Sequence, residues 1–298
     1  MSDELKNKKV TIARLQHKKR LGTKISMLTA YDYPTAKLSE EAGIDIVFVG
    51  DSLGTNVLGY NSPHQVTMSD MLHHTRAVRR AVSNSFLLAD MPFLSYQSSI
   101  EKAVENAGVL VQDGGVEGVK LEGGESILKQ VEAIAKAGIP VMGHLGYNPQ
   151  FQVRDTHVYS EKRGTIPKIQ GKGPKGARSL LNLGQKLQDA GAFALVIELV
   201  TVEVASLMAD ILSIPVIGIG SGATCDGQVL VFNDAIGLSD FELSLLTPYA
   251  ETRKQWIEAI NRYRYDIENE QFPTEKHCLH MEPDKFTELK STIKNLKN

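Results

Sequence analysis

Cysteine is almost missing from this chain: Cys225 and Cys278 are the two in 298 residues, with no C-x-x-C spacing. That excludes a disulfide scaffold, disfavours a zinc site built on Cys/His spacing, and fits a reducing compartment. An excess of charge of either sign is also lacking. A formal net charge of −2 gives no reason to expect nucleic acid or an anionic membrane as partner. No apolar run approaches the ~20 residues that span a bilayer. The first twenty residues are rich in Lys and Arg, ending in His17-Lys18-Lys19-Arg20, and contain no apolar stretch of the secretory kind. Residues 1–24 therefore read as a solvated basic arm with a short helix, and the cytoplasm is the expected location.

What is present is one plan repeated. The run Gly43-Ile-Asp-Ile-Val-Phe-Val-Gly-Asp51-Ser52 places apolar β-formers between glycines, then a carboxylate where the chain leaves the interior. Such a run reads as a strand buried on both faces. Similar runs lie at 25–31, 86–92, 118–122, 140–146, 194–199, 215–222 and 228–232. Helical spacing intervenes, for example at 34–42 behind Asp32 as N-cap, 69–82, 99–112 and 126–137. Eight buried-type strands alternating with helices, without a composition break, predict a single (β/α)₈ TIM barrel spanning residues 1–298. The competitor is an open doubly wound sheet, ranked lower because a glycine-rich first βα turn is absent. Residues 147–176 have no sustained periodicity and read as a lid loop over the barrel mouth, with a disordered insertion as the alternative. Residues 249–298 read as a C-terminal helical extension that covers the barrel or a neighbouring subunit.

In parallel α/β proteins ligands sit beyond the carboxyl ends of the strands. The residues there are Asp51, Asp90, Lys120 with Glu122, His144, Glu198 and the glycines after Ile217. Each has an ordinary structural reading: Asp51 satisfying turn amides, Lys120 in an ion pair, His144 hydrogen-bonded. Together they suggest more. Lys120 and Glu122 are two apart, so on a strand they share a face. Several carboxylates and no thiolate cluster suit a hard divalent cation with room for substrate. Glu198, set in Leu-Val-Ile-Glu-Leu-Val, reads as a desolvated carboxylate able to act as a general base. The chemistry these residues suggest is metal-assisted proton abstraction next to a carbonyl.

The chain also resembles the ketopantoate hydroxymethyltransferase family. The resemblance is carried by Thr29-Ala-Tyr-Asp-Tyr33, Val49-Gly-Asp-Ser-Leu-Gly54, Leu88-Ala-Asp-Met-Pro-Phe93, Val119-Lys-Leu-Glu-Gly-Gly-Glu125, Gly143-His-Leu-Gly146 with Pro149-Gln150, Ile197-Glu-Leu199 and Ile214-Pro-Val-Ile-Gly-Ile-Gly220 with Asp226-Gly-Gln228. It implies a barrel of the phosphoenolpyruvate/pyruvate type, Mg²⁺, and hydroxymethyl transfer from methylenetetrahydrofolate to 3-methyl-2-oxobutanoate. By resemblance, Asp51 and Asp90 bind Mg²⁺ directly and Glu122 completes the metal site, directly or through water. Ser52 and Lys120 hold the keto acid carboxylate, Glu198 takes the C3 proton, and His144 supports the keto acid. A homo-oligomer, commonly a decamer, is also implied. The stretch between Gln152 and Gly176 is longer than is usual in the family. Its Arg163, Lys168, Lys172 and Lys175 are expected to attract the glutamate carboxylates of the folate. A Mg²⁺-dependent 2-oxo acid lyase or mutase on the same barrel, and a non-catalytic keto-acid-binding barrel, are the alternative functions.

Overall fold

The computed structural model describes residues 8–151, 168–240 and 247–294. They fall into two compact units divided between Ala250 and Glu251. In the first, eight parallel strands run in sequence order and close on themselves: β1 Ile25–Thr29, β2 Ile46–Val49, β3 Phe86–Asp90, β4 Gly118–Glu122, β5 Val141–Gly146, β6 Ala192–Glu198, β7 Val216–Ile219 and β8 Gly227–Leu230. Pairing of Ile25 with Gly227 joins β1 to β8, which rules out the open sheet. Strand β1 stops at Thr29, earlier than its apolar run suggested, and β8 stops at Leu230 because Phe232 already begins a short helix.

Strand alternation sorts the apolar side chains into two clusters. Ile25, Met27, Ile46, Phe48, Leu88, Met142, Val196 and Ile217 fill the barrel interior. Val47, Val49, Leu87, Ala89, Val119 and Leu121 pack outward beneath the helices. The helices begin where side chains take up the free N–H groups. Asp32 and Thr67 each form a capping box, and Ser99 accepts from Lys102 N.

The basic arm is not simply solvated. Its helix Ile12–Arg20 buries Leu15 in the interior cluster, together with Val10. Lys18 Nζ lies 2.5 Å from Asp45 Oδ2, and Lys19 Nζ lies 2.6 Å from Asp226 Oδ2. Those carboxylates flank β2 and β8 at their amino ends, so the basic run closes the bottom of the barrel. Residues 1–7 lie outside the described residues.

Glu40 performs a similar task on the outside, where one carboxylate accepts from three consecutive amides. Its Oε1 receives Ser83 N at 3.0 Å and Asn84 N at 2.5 Å, and its Oε2 receives Ser85 N at 3.1 Å. Burial opposes ionisation, but these bonds outweigh it and lower the pKa from 4.5. A lowered carboxylate pKa contributes stability above the unfolded-state value and loses it as pH falls through the folded-state value. Glu40→Gln is expected to cost about 1 kcal/mol at pH 7 in urea unfolding. The gap to wild type should be constant at neutral pH and close below about pH 4.5; a gap that is equal at pH 7 and pH 3 would exclude the charge as its source.

The second unit, residues 251–298, contains the helices Thr252–Glu268 and Pro283–Lys294. None of its described side chains is buried. Cys278 is exposed there, whereas Cys225 is buried in the barrel, and both are free thiols.

Candidate active site

Strand register brings the strand-end residues into neighbouring pairs. Asp90 on β3 lies opposite Lys120 on β4, Glu122 opposite His144 on β5, and Gly146 opposite Glu198 on β6. The result is a row of alternating charge across four strands. Lys120 Nζ is 2.6 Å from Asp90 Oδ1 and 3.6 Å from Glu122 Oε1. His144 Nδ1 is 3.3 Å from Glu122 Oε1, and its Nε2 is 3.4 Å from Glu198 Oε2. Asp51, just past β2, joins the row through its backbone N–H, which donates to Asp90 Oδ2 at 2.9 Å. The row needs a close approach of β5 to β6. Gly146 supplies it: its φ is +97°, and a Cβ there would sit 2.2 Å from Glu198 O.

Burial grades the row. Asp51, Asp90, Lys120, Glu122 and His144 are all buried. Glu198 is less buried than its apolar neighbours suggested; its side chain is 22% exposed against 3% for His144. The physical reason is position. Glu198 is the last residue of β6, and Leu199 then turns the chain with a φ of +51°. That left-handed conformation is uncommon for a branched side chain and marks a strained turn directly beside the carboxylate.

The electrostatics separate the acids. Burial raises Asp51 well above the ordinary carboxylate range, reinforced by the charges of Asp90 and Glu122. Burial likewise raises Asp90, although Lys120 opposes it. For Glu122, burial is outweighed by Lys120, His144 and the Gln150 N–H, and its pKa falls to about 2. Burial and Lys120 work against a charged His144, yet Glu122 and Glu198 outweigh them and raise it to about 9. Burial also works against Lys120, but the surrounding carboxylates raise it.

Four carboxylates thus share two cations, and the crowding that raises Asp51 and Asp90 is what a divalent cation there would relieve. Asp90 Oδ1 is buried and, beside Lys120, lacks a well-aligned hydrogen bond. Such an atom is where a ligand fits, and the oxygens of Asp51, Asp90 and Glu122 make a donor set that suits a hard cation.

Ser52 begins the short helix Leu53–Asn56 without capping it, and its Oγ lies 2.9 Å from Tyr31 OH. Tyr31 is buried and its carbonyl meets His74 Nδ1 at 2.6 Å. Asp51 does not serve its own turn; its Oδ2 accepts from Gln150 Nε2 at 2.8 Å. Sequence reasoning overlooked Gln150, Tyr96 and His64, which meet beneath the carboxylates. Gln150 stood within a matching motif but without a role, and nothing in their spacing joins the three.

The expected lid is only partly described. Residues 149–151 form a short 3₁₀ turn, and the helix Pro174–Asp189 already begins inside the 147–176 stretch. Arg163 lies outside the described residues, and Lys168, Lys172 and Lys175 are exposed. Lys175 lines a pocket of ≈ 620 Å³ with Pro174, Arg178, Ser179 and Asn182, which shares no residue with the carboxylate row.

Comparison with known proteins shows the family. A family model described as ketopantoate hydroxymethyltransferase matches residues 9–275. A 3-methyl-2-oxobutanoate hydroxymethyltransferase of Acetivibrio thermocellus is 48% identical over 272 residues, covering 91% of this chain and 93% of the relative. One from Clostridium novyi is 43% identical over 282 residues, covering 94% and 99%. Among solved structures, 2,3-dimethylmalate lyase of the PEP mutase/isocitrate lyase superfamily matches with a TM-score of 0.56 at 13% identity, over 96% of each chain. Phosphonopyruvate hydrolase in complex with oxalate and Mg²⁺ matches with a TM-score of 0.55 at 12% identity, again over 96% of each chain. At such identities these two structures establish the shared barrel fold alone.

Proposed function

The chain belongs to the ketopantoate hydroxymethyltransferase family, and from that premise we propose that it transfers a hydroxymethyl group from methylenetetrahydrofolate to 3-methyl-2-oxobutanoate, giving ketopantoate for pantothenate biosynthesis. The observation that carries the assignment of roles is the alternating row Asp90, Lys120, Glu122, His144 and Glu198 at the strand ends, with Asp51 beside it.

Asp51 and Asp90 would hold Mg²⁺, and Glu122 would complete the site directly or through water. A cation there supplies Lewis-acid polarisation of the 2-oxo acid and offsets the charge of its enolate. Ser52 and Lys120 take the substrate carboxylate, which orients the C3–H bond toward Glu198. Glu198 removes that proton, and the enolate attacks the methylene carbon of the folate as one of its C–N bonds opens. One water then hydrolyses the remaining C–N bond, leaving the hydroxyl on the transferred carbon and releasing tetrahydrofolate. His144, charged through Glu122, sits 3.4 Å from Glu198 and holds the base in place.

The two glutamates receive different tasks from their surroundings. Glu122, at about 2, stays ionised and is a weak base. Glu198, at the end of β6, has one cationic neighbour among the described residues, His144. Lys168, Lys172 and Lys175, with Arg163, supply positive charge for the glutamate tail of the folate. Among the described residues no helix is long and apolar enough to cross a membrane. The same reading places the enzyme in the cytoplasm as a homo-oligomer, a decamer by family resemblance.

The test is product formation. Purified protein with 3-methyl-2-oxobutanoate, methylenetetrahydrofolate and Mg²⁺ should yield ketopantoate, and chelation by EDTA should abolish the yield. Cleavage of a 2-oxo acid with indifference to folate would move the assignment to a lyase. Binding of the keto acid with no turnover under any condition would move it to a sensor.

A further inference from the structure

Beneath the carboxylates lies one side chain for which the proposed reaction has no use. Gln150 is fully buried, on the 3₁₀ turn that follows β5. A buried amide needs all its hydrogen-bonding groups met, and here each one is. Its Nε2 donates to Asp51 Oδ2 at 2.8 Å and to Met91 O at 3.0 Å. Its Oε1 accepts from Tyr96 OH at 2.7 Å and from Gln97 Nε2 at 3.2 Å. Its backbone N–H donates to Glu122 Oε2 at 3.0 Å, and its carbonyl faces His64 Nε2 at 3.0 Å. His64 Nδ1 is taken up by the Ser62 hydroxyl, which leaves Nε2 to carry the proton toward that carbonyl.

The arrangement settles which way the amide points. Met91 O can only accept, so the NH₂ group must face it, and with it Asp51. Tyr96 is itself fixed, because its hydroxyl oxygen accepts from Glu122 N at 3.1 Å while its one proton points to Gln150 Oε1. One residue thus grips one oxygen on each of two carboxylates from different strand ends. Glu122 Oε1 is left facing Lys120 and His144.

The residue type matters. A lysine here would neutralise charge that a divalent cation needs, and a glutamate would add a further buried negative charge. A neutral double donor orients both acids without altering their charge. Outer groups that orient metal ligands commonly change metal affinity 10–100-fold when removed.

We infer that Gln150 is a positioning residue for the metal-binding carboxylates: its side-chain amide and backbone N–H lock Asp51 and Glu122 in the orientation that receives the cation, and Tyr96 holds the amide in register. The inference rests on the metal site of the proposed function. It also ties the loops after β2, β3 and β5 to that site through a single amide.

The experiment is Mn²⁺ binding to the full chain, read by electron paramagnetic resonance, in Gln150→Met, Tyr96→Phe and, as benchmark, Asp51→Ala. Gln150→Met keeps the volume but loses every side-chain hydrogen bond, and its Kd for Mn²⁺ should rise ~10–100-fold. Tyr96→Phe leaves Gln150 in place and should raise Kd by a smaller factor in the same direction. It also covers the case in which Gln150→Met fails to fold. Excess Mn²⁺ should restore kcat in both variants, which a merely structural defect would not allow. Wild-type Mn²⁺ affinity in the folded variants, with binding lost in Asp51→Ala, overturns the positioning role alone. Wild-type affinity in Asp51→Ala as well overturns the metal site and the inference with it.

Discussion

Glu198→Gln is expected to slow Mg²⁺-dependent exchange of the C3 proton of 3-methyl-2-oxobutanoate in heavy water by ~10²–10⁴-fold, with Mg²⁺ and keto acid binding retained. Gln has the same shape but cannot take the proton. The structural cost should be small, because the Glu198 side chain is 22% exposed and, among the described residues, its charged neighbour is His144 at 3.4 Å. Exchange is followed by NMR without any folate, which isolates proton removal from carbon–carbon bond formation. A loss of turnover with exchange intact would assign Glu198 to a later step. Wild-type exchange in the variant would return the role of base to another group and leave Glu198 as a rim carboxylate.

Lys120→Met should produce the largest loss of stability of any single change at the site. Lys120 is buried, 2.6 Å from Asp90 and 3.6 Å from Glu122, and lies 5.3 Å from the centroid of the Phe48 ring. Met preserves most of the apolar stem but leaves Asp51, Asp90 and Glu122 without the cation between them. Removing one partner of a buried ion pair commonly costs about 3–5 kcal/mol, since the remaining charge stays desolvated. In a chain of this size that lowers Tm by on the order of 10 °C. Mg²⁺ binds where the negative charge is concentrated, so the variant should gain more Tm from saturating Mg²⁺ than wild type does. Calorimetry with and without Mg²⁺ checks both parts. An unchanged Tm in the metal-free variant would show that the three acids take up protons at no net cost. Equal Mg²⁺ gains in both proteins would argue against a cation at this cluster.

Much of the barrel was legible because both of its signals are local. A strand buried on both faces must be apolar throughout, so Ile46–Val49 and Phe86–Asp90 stand out as runs that end in a polar residue. The period of two likewise puts Lys120 and Glu122 on one face of a strand. Asp51, Asp90, His144 and Glu198 were legible for the same reason, as polar residues where an apolar run stops. The lysines at 18 and 19 were misread. A basic run looks solvated until its partners Asp45 and Asp226, distant in sequence, are known. Glu198 was misread in burial, since flanking apolar residues on a strand face outward and do not cover its own carboxylate.

The amino-acid sequence by itself determined the number and order of the strands, the barrel they form and the acids at their ends, because hydrophobic alternation and chain punctuation act within a few residues. The tertiary structure alone decided the register that sets Asp90 against Lys120 and Glu122 against His144. It alone brought Gln150 and Tyr96 beneath Asp51, from loops after β5 and β3. Hydrogen bonds and ion pairs of this kind act over about 3 Å of space and carry no trace of the chain length between their partners.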